Sequence, residues 1–260
     1  MVKPEKYAEP RIVQNDFFMD IAREINTDYS NLLKYGRNPS IGIDEEVIWD
    51  QGGDYPFLTS EKLLSVVSTD ASDAVAGGGV QVVTIQGLDK DYFEIEEKIP
   101  MDGLTPVLST KKFLRVHRAF AFCGEQLSPV TDPANAGDIT ITAVEDEVVL
   151  AKILTGVGQT LMAVYTVPAD KSAYLISIMA STGQGKQAVF KLKTRDNSPF
   201  TEPCVFRTKI ILDLYQNAFS APIMTKQRIA PRTDIVITGQ VDSTPAIQIS
   251  TFFELILIKD

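Results

Sequence analysis

The stretch "GVQVVTIQGLDKDYFEIEEKI" occupies residues 79–99. Its first half, residues 79–88, reads as a strand. Its second half, residues 92–99, sets Phe93 and Ile95 on one face and Glu94 and Glu96 on the other, the alternation of a half-buried strand. The Asp89-Lys90 pair, following Gly87, suits the turn of a hairpin. Antiparallel neighbours can be joined by so short a link, whereas parallel ones need a helical crossover.

The same rhythm extends in both directions. Residues 112–123, "KFLRVHRAFAFC", alternate Leu114, Val116, Phe120 and Phe122 against Arg115 and His117, and "GDITITAV" (137–144) is a further short strand. Beyond a joint at 145–158 come "QTLMAVYTV" (159–167), "AYLISIMAS" (173–181), "QAVFKLKTR" (187–195), "CVFRTKIILDLY" (204–215), "DIVITGQ" (234–240) and "AIQISTFFELILI" (246–258). Clusters of Gly, Pro, Asp, Asn and Ser separate them, as turns require. With strand following strand and no room for crossover helices, the expected class is all-β, with antiparallel sandwich or jelly-roll-like modules.

One helix is expected, near the beginning. Asn15 suits an N-cap and Asp16 the positive end of the helix dipole. Phe17, Phe18, Ile21 and Ile25 recur at helical spacing, Leu32 and Leu33 extend the apolar face, and Gly36 is a natural stop. A short helix with an aromatic side must dock on something. The expected organisation is an N-terminal arm and docking helix over 1–43, a first β-sandwich module over 44–150 and a second over 151–260.

Composition narrows the function classes. Hydrophobic residues make up 44% of the 260, enough for a core, and the formal net charge is -9. An acidic surface disfavours nucleic acid, whose phosphates need a basic face. The opening "MVKPEKYAEP" lacks the apolar segment of a signal peptide. No apolar run approaches the roughly 18 residues of a membrane span, and the longest, residues 251–258, is interrupted by Glu254. Neither nucleic acid nor membrane is expected as a partner. Cys123 and Cys204 are expected as two reduced thiols, since neither has a CxxC partner or nearby His for a metal; whether they pair stays open.

Motifs that could carry chemistry each resolve to a plainer reading. The single histidine, His117, lies in phase with Arg115 and out of phase with the apolar residues, so it is expected at an edge or exposed; no GxSxG elbow accompanies it. "STGQGKQ" (181–187) lacks the first glycine, the Ser/Thr and the following helix of a phosphate loop, and reads as a hairpin turn. Asp89, Asp91, Glu94, Glu96 and Glu97 offer paired carboxylates or a calcium turn, but the alternation places Glu94 and Glu96 on a solvated face. The glycines of "DAVAGGGVQ" (73–81) read as a flexible turn, with no helix after them to hold a phosphate. No catalytic residue, cofactor or metal is expected, and the chain does not read as an enzyme.

A resemblance adds to this. Lys34-Tyr35-Gly36-Arg37-Asn38-Pro39, then an acidic spacer, then Ile48-Trp49-Asp50-Gln51-Gly52-Gly53-Asp54-Tyr55 resembles a K-[FY]-G-x-N-P … [IV]-W-D-x-G-G-x-Y pattern in virion structural proteins of tailed bacteriophages, many of them environmental. The likeness continues through Ala71-Ser72-Asp73, Gly77–Gly79, Gly87-Leu88-Asp89, residues 113–119, 136–142 and 158–175, and spans roughly residues 32–195 in order. It implies a non-enzymatic particle component and brings no catalytic residues. Trp49 would then be buried at a hinge and hydrogen-bonded through its ring N–H, with Gly52-Gly53 turning at positive φ; the alternative is a carbohydrate-stacking Trp on an exposed loop.

Three functions follow as expectations. The first is a capsid decoration or cement protein, bound to the major capsid protein through its N-terminal segment and self-associating as a dimer or trimer. The second is a neck, tail or fibre-base part with host-recognition loops such as residues 196–203. The third is a carbohydrate-binding or degrading β-sandwich using Trp49 or the Glu94/Glu96 pair. The residues expected to carry docking and the joint are Phe17, Phe18, Ile21, Ile25, Tyr35, Asn38, Trp49 and Tyr55.

Overall fold

The computed structural model describes residues 17–25, 27–122, 134–183, 186–198, 205–215 and 218–260. The arm over 1–14, the cap at Asn15, both cysteines and much of the loop at 196–203 lie outside them. The chain runs α1 (Phe17–Ala22), β1 (Tyr29–Ile41), β2 (Glu46–Val47), β3 (Lys62–Ser68), β4 (Val82–Leu88), β5 (Glu94–Pro100), β6 (Val107–Phe113), β7 (Arg115–Phe122), β8 (Ile139–Ala143) and β9 (Val149–Ile153). It continues with β10 (Val164–Thr166), β11 (Lys171–Thr182), β12 (Gln187–Asp196), β13 (Arg207–Tyr215), β14 (Ala218–Pro222), β15 (Arg228–Ile229), β16 (Thr233–Val241) and β17 (Ile247–Lys259).

These strands form four antiparallel sheets, so the all-β sandwich class is the one observed. The hairpin read over 79–99 forms between β4 and β5 in unbroken register, Val82 opposite Pro100 to Leu88 opposite Glu94, but Phe93 falls in the turn and is exposed instead of sharing a strand face with Ile95. Sheets β6-β3-β8-β9 and β5-β4-β7 enclose one core around Leu64, Ile85, Phe113 and Ile141. Sheets β1-β17-β11-β14 and β10-β16-β12-β13 enclose a second, around Phe190, Ile237, Phe253 and Leu255.

Membership of the sheets corrects the expected organisation. Leu32, Leu33 and Gly36 do not prolong the helix. They lie on β1, a 13-residue strand paired with β17 from Tyr29 opposite Ile258 onward. β2 joins β16. The module built mainly from β10 to β17 therefore owns residues 29–48, and residues 49–162 are inserted into it. The boundary expected after 150 would cut through β9, which the sequence left as a joint but which pairs with β8.

The two crossings between modules run side by side. Trp49 bridges Met162, Ala163 N–H donates to Ile48 O at 3.0 Å, and Ile48 N–H donates to Ile237 O at 3.0 Å. Side chains alternate across this wall. Val47, Trp49, Met162, Val164 and Val236 enter the first core, whereas Ile48, Ala163, Tyr165, Ile235 and Ile237 enter the second. One sheet thus serves both cores, which is why β16 is buried on both faces along almost its whole length. A shared wall joins the modules rigidly, since neither can rotate without exposing apolar surface of the other.

Two loops also differ from expectation. The strand read at 112–123 breaks at Leu114: β6 pairs with β3 and β7 with β4 in the opposite sheet. The glycine-rich turn is fixed rather than flexible. Asp73 is fully buried beneath it and accepts from Ser68 Oγ (2.6 Å), Val80 N (2.9 Å), Ala136 N (2.9 Å) and Gly137 N (3.0 Å).

Candidate functional site

The expected contact residues separate into a surface group and an interior group. Phe17, Phe18 and Ile25 are at least half exposed, and Tyr35 is partly exposed on β1. Ile21 is buried and pins the six-residue helix against Ile176 and Ile256 on the outer face of the β1–β17–β11 sheet. The rings of Phe17 and Tyr29 meet edge to face at 5.6 Å.

Asn38, Trp49 and Tyr55 are buried at the joint. Asn38 donates to Glu46 Oε2 at 3.1 Å and accepts from Ser40 N–H at 2.9 Å. Trp49 donates its ring N–H to Gly53 O at 3.2 Å and meets the Tyr55 ring at 5.1 Å. Tyr55 donates to Val116 O at 3.2 Å. Gly52 and Gly53 turn at φ 73 and 69, a conformation that costs a side-chain-bearing residue. With 2% of its surface exposed, Trp49 has no face to stack on a sugar, so the exposed-loop alternative for this residue is withdrawn.

Sequence reasoning missed the polar centre of the wall. Asp234, fully buried at the start of β16, receives Arg115 Nε on Oδ1 (3.0 Å), Arg115 Nη2 on Oδ2 (3.2 Å), Arg195 Nη2 on Oδ2 (2.6 Å) and the Thr166 hydroxyl on Oδ1 (2.6 Å). Two guanidiniums on one carboxylate leave an excess positive charge. Aromatic faces meet it: Arg115 and Arg195 lie 5.3 and 4.7 Å from the Phe57 ring centroid, and Arg195 lies 4.6 Å from Phe206. Burial works to raise the Asp234 pKa, but the two arginines and Thr166 outweigh it and hold the carboxyl below its usual range.

His117 is also a correction. It is buried, not exposed, and its Nε2 accepts the Thr166 N–H at 3.1 Å. Strand β7 passes between the modules, so its "polar" face points at the second module rather than at water. Burial, followed by the charges of Lys34, Arg115 and Lys171, pushes the imidazole well below its usual pKa. The only cue in the sequence was the continuous apolar run of residues 235–237, which signals a strand covered on both faces.

Beside this wall a cleft of about 790 Å³ opens between the modules, walled by β1 residues 30–35 on one side and by Glu94, Ile95, Glu96 and Arg118 on the other. Its volume falls in the range of small-molecule sites. Lys34 lies at its base, buried, and donates its amine to His117 O. Burial, with the Arg118 charge adding to it, brings the amine down from 10.5 to about 7. Glu94, exposed as expected, is paired with Lys171 at 2.5 Å. The Tyr165 hydroxyl is buried with no hydrogen-bond partner among the described residues. Among those residues no three His, Cys, Asp or Glu side chains gather to hold a metal ion, and no helix is long and apolar enough to cross a membrane.

The Lys34 amine makes a prediction. Between about pH 7 and about pH 10 the unfolded chain carries a proton there that the folded chain releases, so stability rises with pH across that window. Lys34→Met keeps the side-chain length and removes the titration. Urea midpoints measured at about pH 7 and about pH 9.5 are expected to rise in the parent and to stay level in the variant. Equal rises in both would place the proton release elsewhere.

No protein-family model matches the chain, and no curated protein matches it. Among solved structures it shows a weak likeness to two chains of infectious bursal disease virus. For the Gt strain the identity is 9% and the TM-score 0.20, over 89% of this chain and 73% of the other. For the Gx strain they are 8% and 0.23, over 89% and 71%. Identities and TM-scores of this size establish no common fold.

Proposed function

We propose that this chain is a non-catalytic structural component of a tailed-bacteriophage virion, assembled in the host cytoplasm, that decorates or cements the head by binding the major capsid protein. The motif order over residues 32–195 is the basis in sequence. The observation that carries the docking role is the surface of α1 and of the turn that follows it. Phe17, Phe18, Met19 and Ile25 are 50%, 53%, 54% and 59% exposed on a segment pinned to the body by one buried side chain, Ile21. Large apolar side chains concentrated on so small an element mark a contact surface. The rigid wall behind it transmits load between modules instead of bending.

Copy number in purified particles tests this, measured by quantitative mass spectrometry against the major capsid protein. Counts on the order of hundreds are expected for a shell protein, as icosahedral lattices repeat each site many times. About a dozen or fewer would move the chain to the neck or tail, and absence from particles would remove the virion reading. Within a shell, Phe17→Ser with Phe18→Ser is expected to lower occupancy at least tenfold while shifting the urea midpoint little, because both side chains are half exposed and Phe17 gives up only its edge contact with Tyr29.

A further inference from the structure

The cleft beside the shared wall is lined by two donors that the described residues do not use up. Lys34 is 6% exposed. Among the described residues its amine forms no ion pair and has a single acceptor, His117 O. An ammonium buried this deeply is ordinarily paired, because desolvation penalises an isolated charge. Tyr165 is 2% exposed, and its hydroxyl has no hydrogen-bond partner among the described residues. His117 brings the two side chains together: its carbonyl accepts from Lys34, and its ring lies 4.3 Å from the Tyr165 ring. After burial, the charges of Glu94 and Asp170 push the Tyr165 pKa well above its usual value, so the hydroxyl lies toward the cleft wall that carries Glu94.

We propose that this cleft binds a small monocarboxylate with an apolar body, its carboxylate received by the Lys34 amine and the Tyr165 hydroxyl. A carboxylate only accepts hydrogen bonds, and these two groups offer donors without acceptors. Bonds to an ionised group are roughly twice as strong as neutral ones. Arg118 adds a positive charge beside Lys34, with its Nη2 held by Gln159 Oε1 at 2.6 Å. Leu33, Ile95, Leu161 and Leu257 supply apolar lining for the body of the ligand. On the facing wall Glu94 is paired with Lys171, and Glu96 accepts from Gln86 at 2.8 Å. Two carboxylates there repel a second negative charge, which selects a monoanion over a dianion.

Binding is coupled to a proton. The free amine titrates at about 7, and a bound carboxylate favours its ammonium form. The groups that surround it are Arg118 and His117 on β7, Glu94 and Glu96 on β5, Lys171 on β11 and Tyr165 on β10. His117 is held well below its usual pKa and Tyr165 well above its own, so neither changes charge between about pH 7 and about pH 9. The site does not depend on the virion assignment, since a particle can contain the chain whether or not the cleft takes a ligand.

Titration calorimetry of the full chain with hexanoate tests it, run at pH 8 in two buffers of different ionisation enthalpy. The parent is expected to take up most of one proton per hexanoate bound, and its affinity to fall by up to about tenfold per pH unit above pH 7. Hexanamide, the neutral amide of the same chain length, is expected to bind at least about tenfold more weakly. Lys34→Met is expected to abolish the proton uptake and to weaken hexanoate by about tenfold or more. Tyr165→Phe is expected to weaken it by roughly three- to tenfold and to leave the fold intact, because the hydroxyl it removes bonds nothing among the described residues. Circular dichroism checks both variants, and the parent's proton uptake with Tyr165→Phe decides the matter even where Lys34→Met does not fold. No saturable heat up to about 20 mM hexanoate, hexanamide binding as tightly, no proton uptake in the parent, or an affinity that either folded variant leaves unchanged would each overturn the site.

Discussion

Asp234→Ala is expected to destabilise the folded chain by about 3–5 kcal/mol, the cost of stranding a buried charge by removing its partner. The stranded charge is Arg115, whose side chain is 3% exposed. Its Nη1 still has Leu58 O and Leu114 O, but its Nε and Nη2 lose their only named acceptors. Asp234→Asn is expected to cost nearly as much, because an amide supplies no negative charge and turns an N–H₂ toward a guanidinium. Urea unfolding followed by fluorescence reads the loss directly. The single Trp, Trp49, is buried in the first core beside the same wall. A loss below about 1 kcal/mol would mean that the two arginines are solvated in some other way.

The acid limb of stability follows from the same centre. The folded pKa of Asp234 lies below its unfolded value, so its contribution is fully present above about pH 4. It is lost as pH falls through the lower, folded pKa, where the native carboxylate must accept a proton. Asp234→Ala is therefore expected to flatten stability against pH in that acid region while lowering it at neutral pH.

Gly36→Ala is expected to cost about 3 kcal/mol or more, combining overpacking with a lost hydrogen bond. A Cβ at Gly36 would stand 2.5 Å from Ala163 N, 2.5 Å from Ile48 O and 2.6 Å from Ala163 Cβ. Those two backbone atoms are donor and acceptor of the bond that ties the module crossings together. The methyl group would be driven into the pair, and the obstacle is backbone that cannot rotate away. Gly42→Ala is the control, since a Cβ there meets nothing within 4 Å and is expected to be close to neutral. Ala163→Gly in the Gly36→Ala background removes the side-chain contact alone, so only partial recovery is expected. Full recovery would show that the backbone approach is not the obstacle.

Gly36 also shows where sequence reading stops. As a residue after an apolar run it looked like the end of a helix. In the structure it is where β1 packs directly against the backbone of two other chain segments, at Ile48 and Ala163. Both roles favour glycine, and the local sequence does not distinguish them. The same holds for Leu32 and Leu33, whose adjacency fits a helix face as well as one inward and one outward position on a strand. What settles it is β17, whose residues 252–258 supply partners for Tyr29 to Tyr35. That partner lies more than two hundred residues away.

The interior of the candidate site was partly legible. Trp49, Tyr55 and the Gly52-Gly53 turn were readable because a lone Trp beside a glycine pair poses a local problem with a local solution. Arg115 and His117 were misread because alternation records which residues are polar, not what the polar face meets. Arg115 meets Asp234 across 119 residues of sequence. Lys34 lay inside a recognised motif, yet its burial depends on β7 of the inserted module.

By itself, the sequence determined that this chain is built of antiparallel strands. Period-two patterning and turn residues act within a few positions of one another, and they exclude helical crossovers without reference to distant parts. It also determined the hairpin at 79–99 and the turn after Trp49. Only the tertiary structure decided which strands are neighbours, that residues 49–162 sit inside another module, and that one wall serves two cores. The physical reason is that a strand satisfies half its backbone hydrogen bonds and one of its faces with whatever lies beside it, and chain entropy leaves that neighbour free to come from anywhere in the sequence.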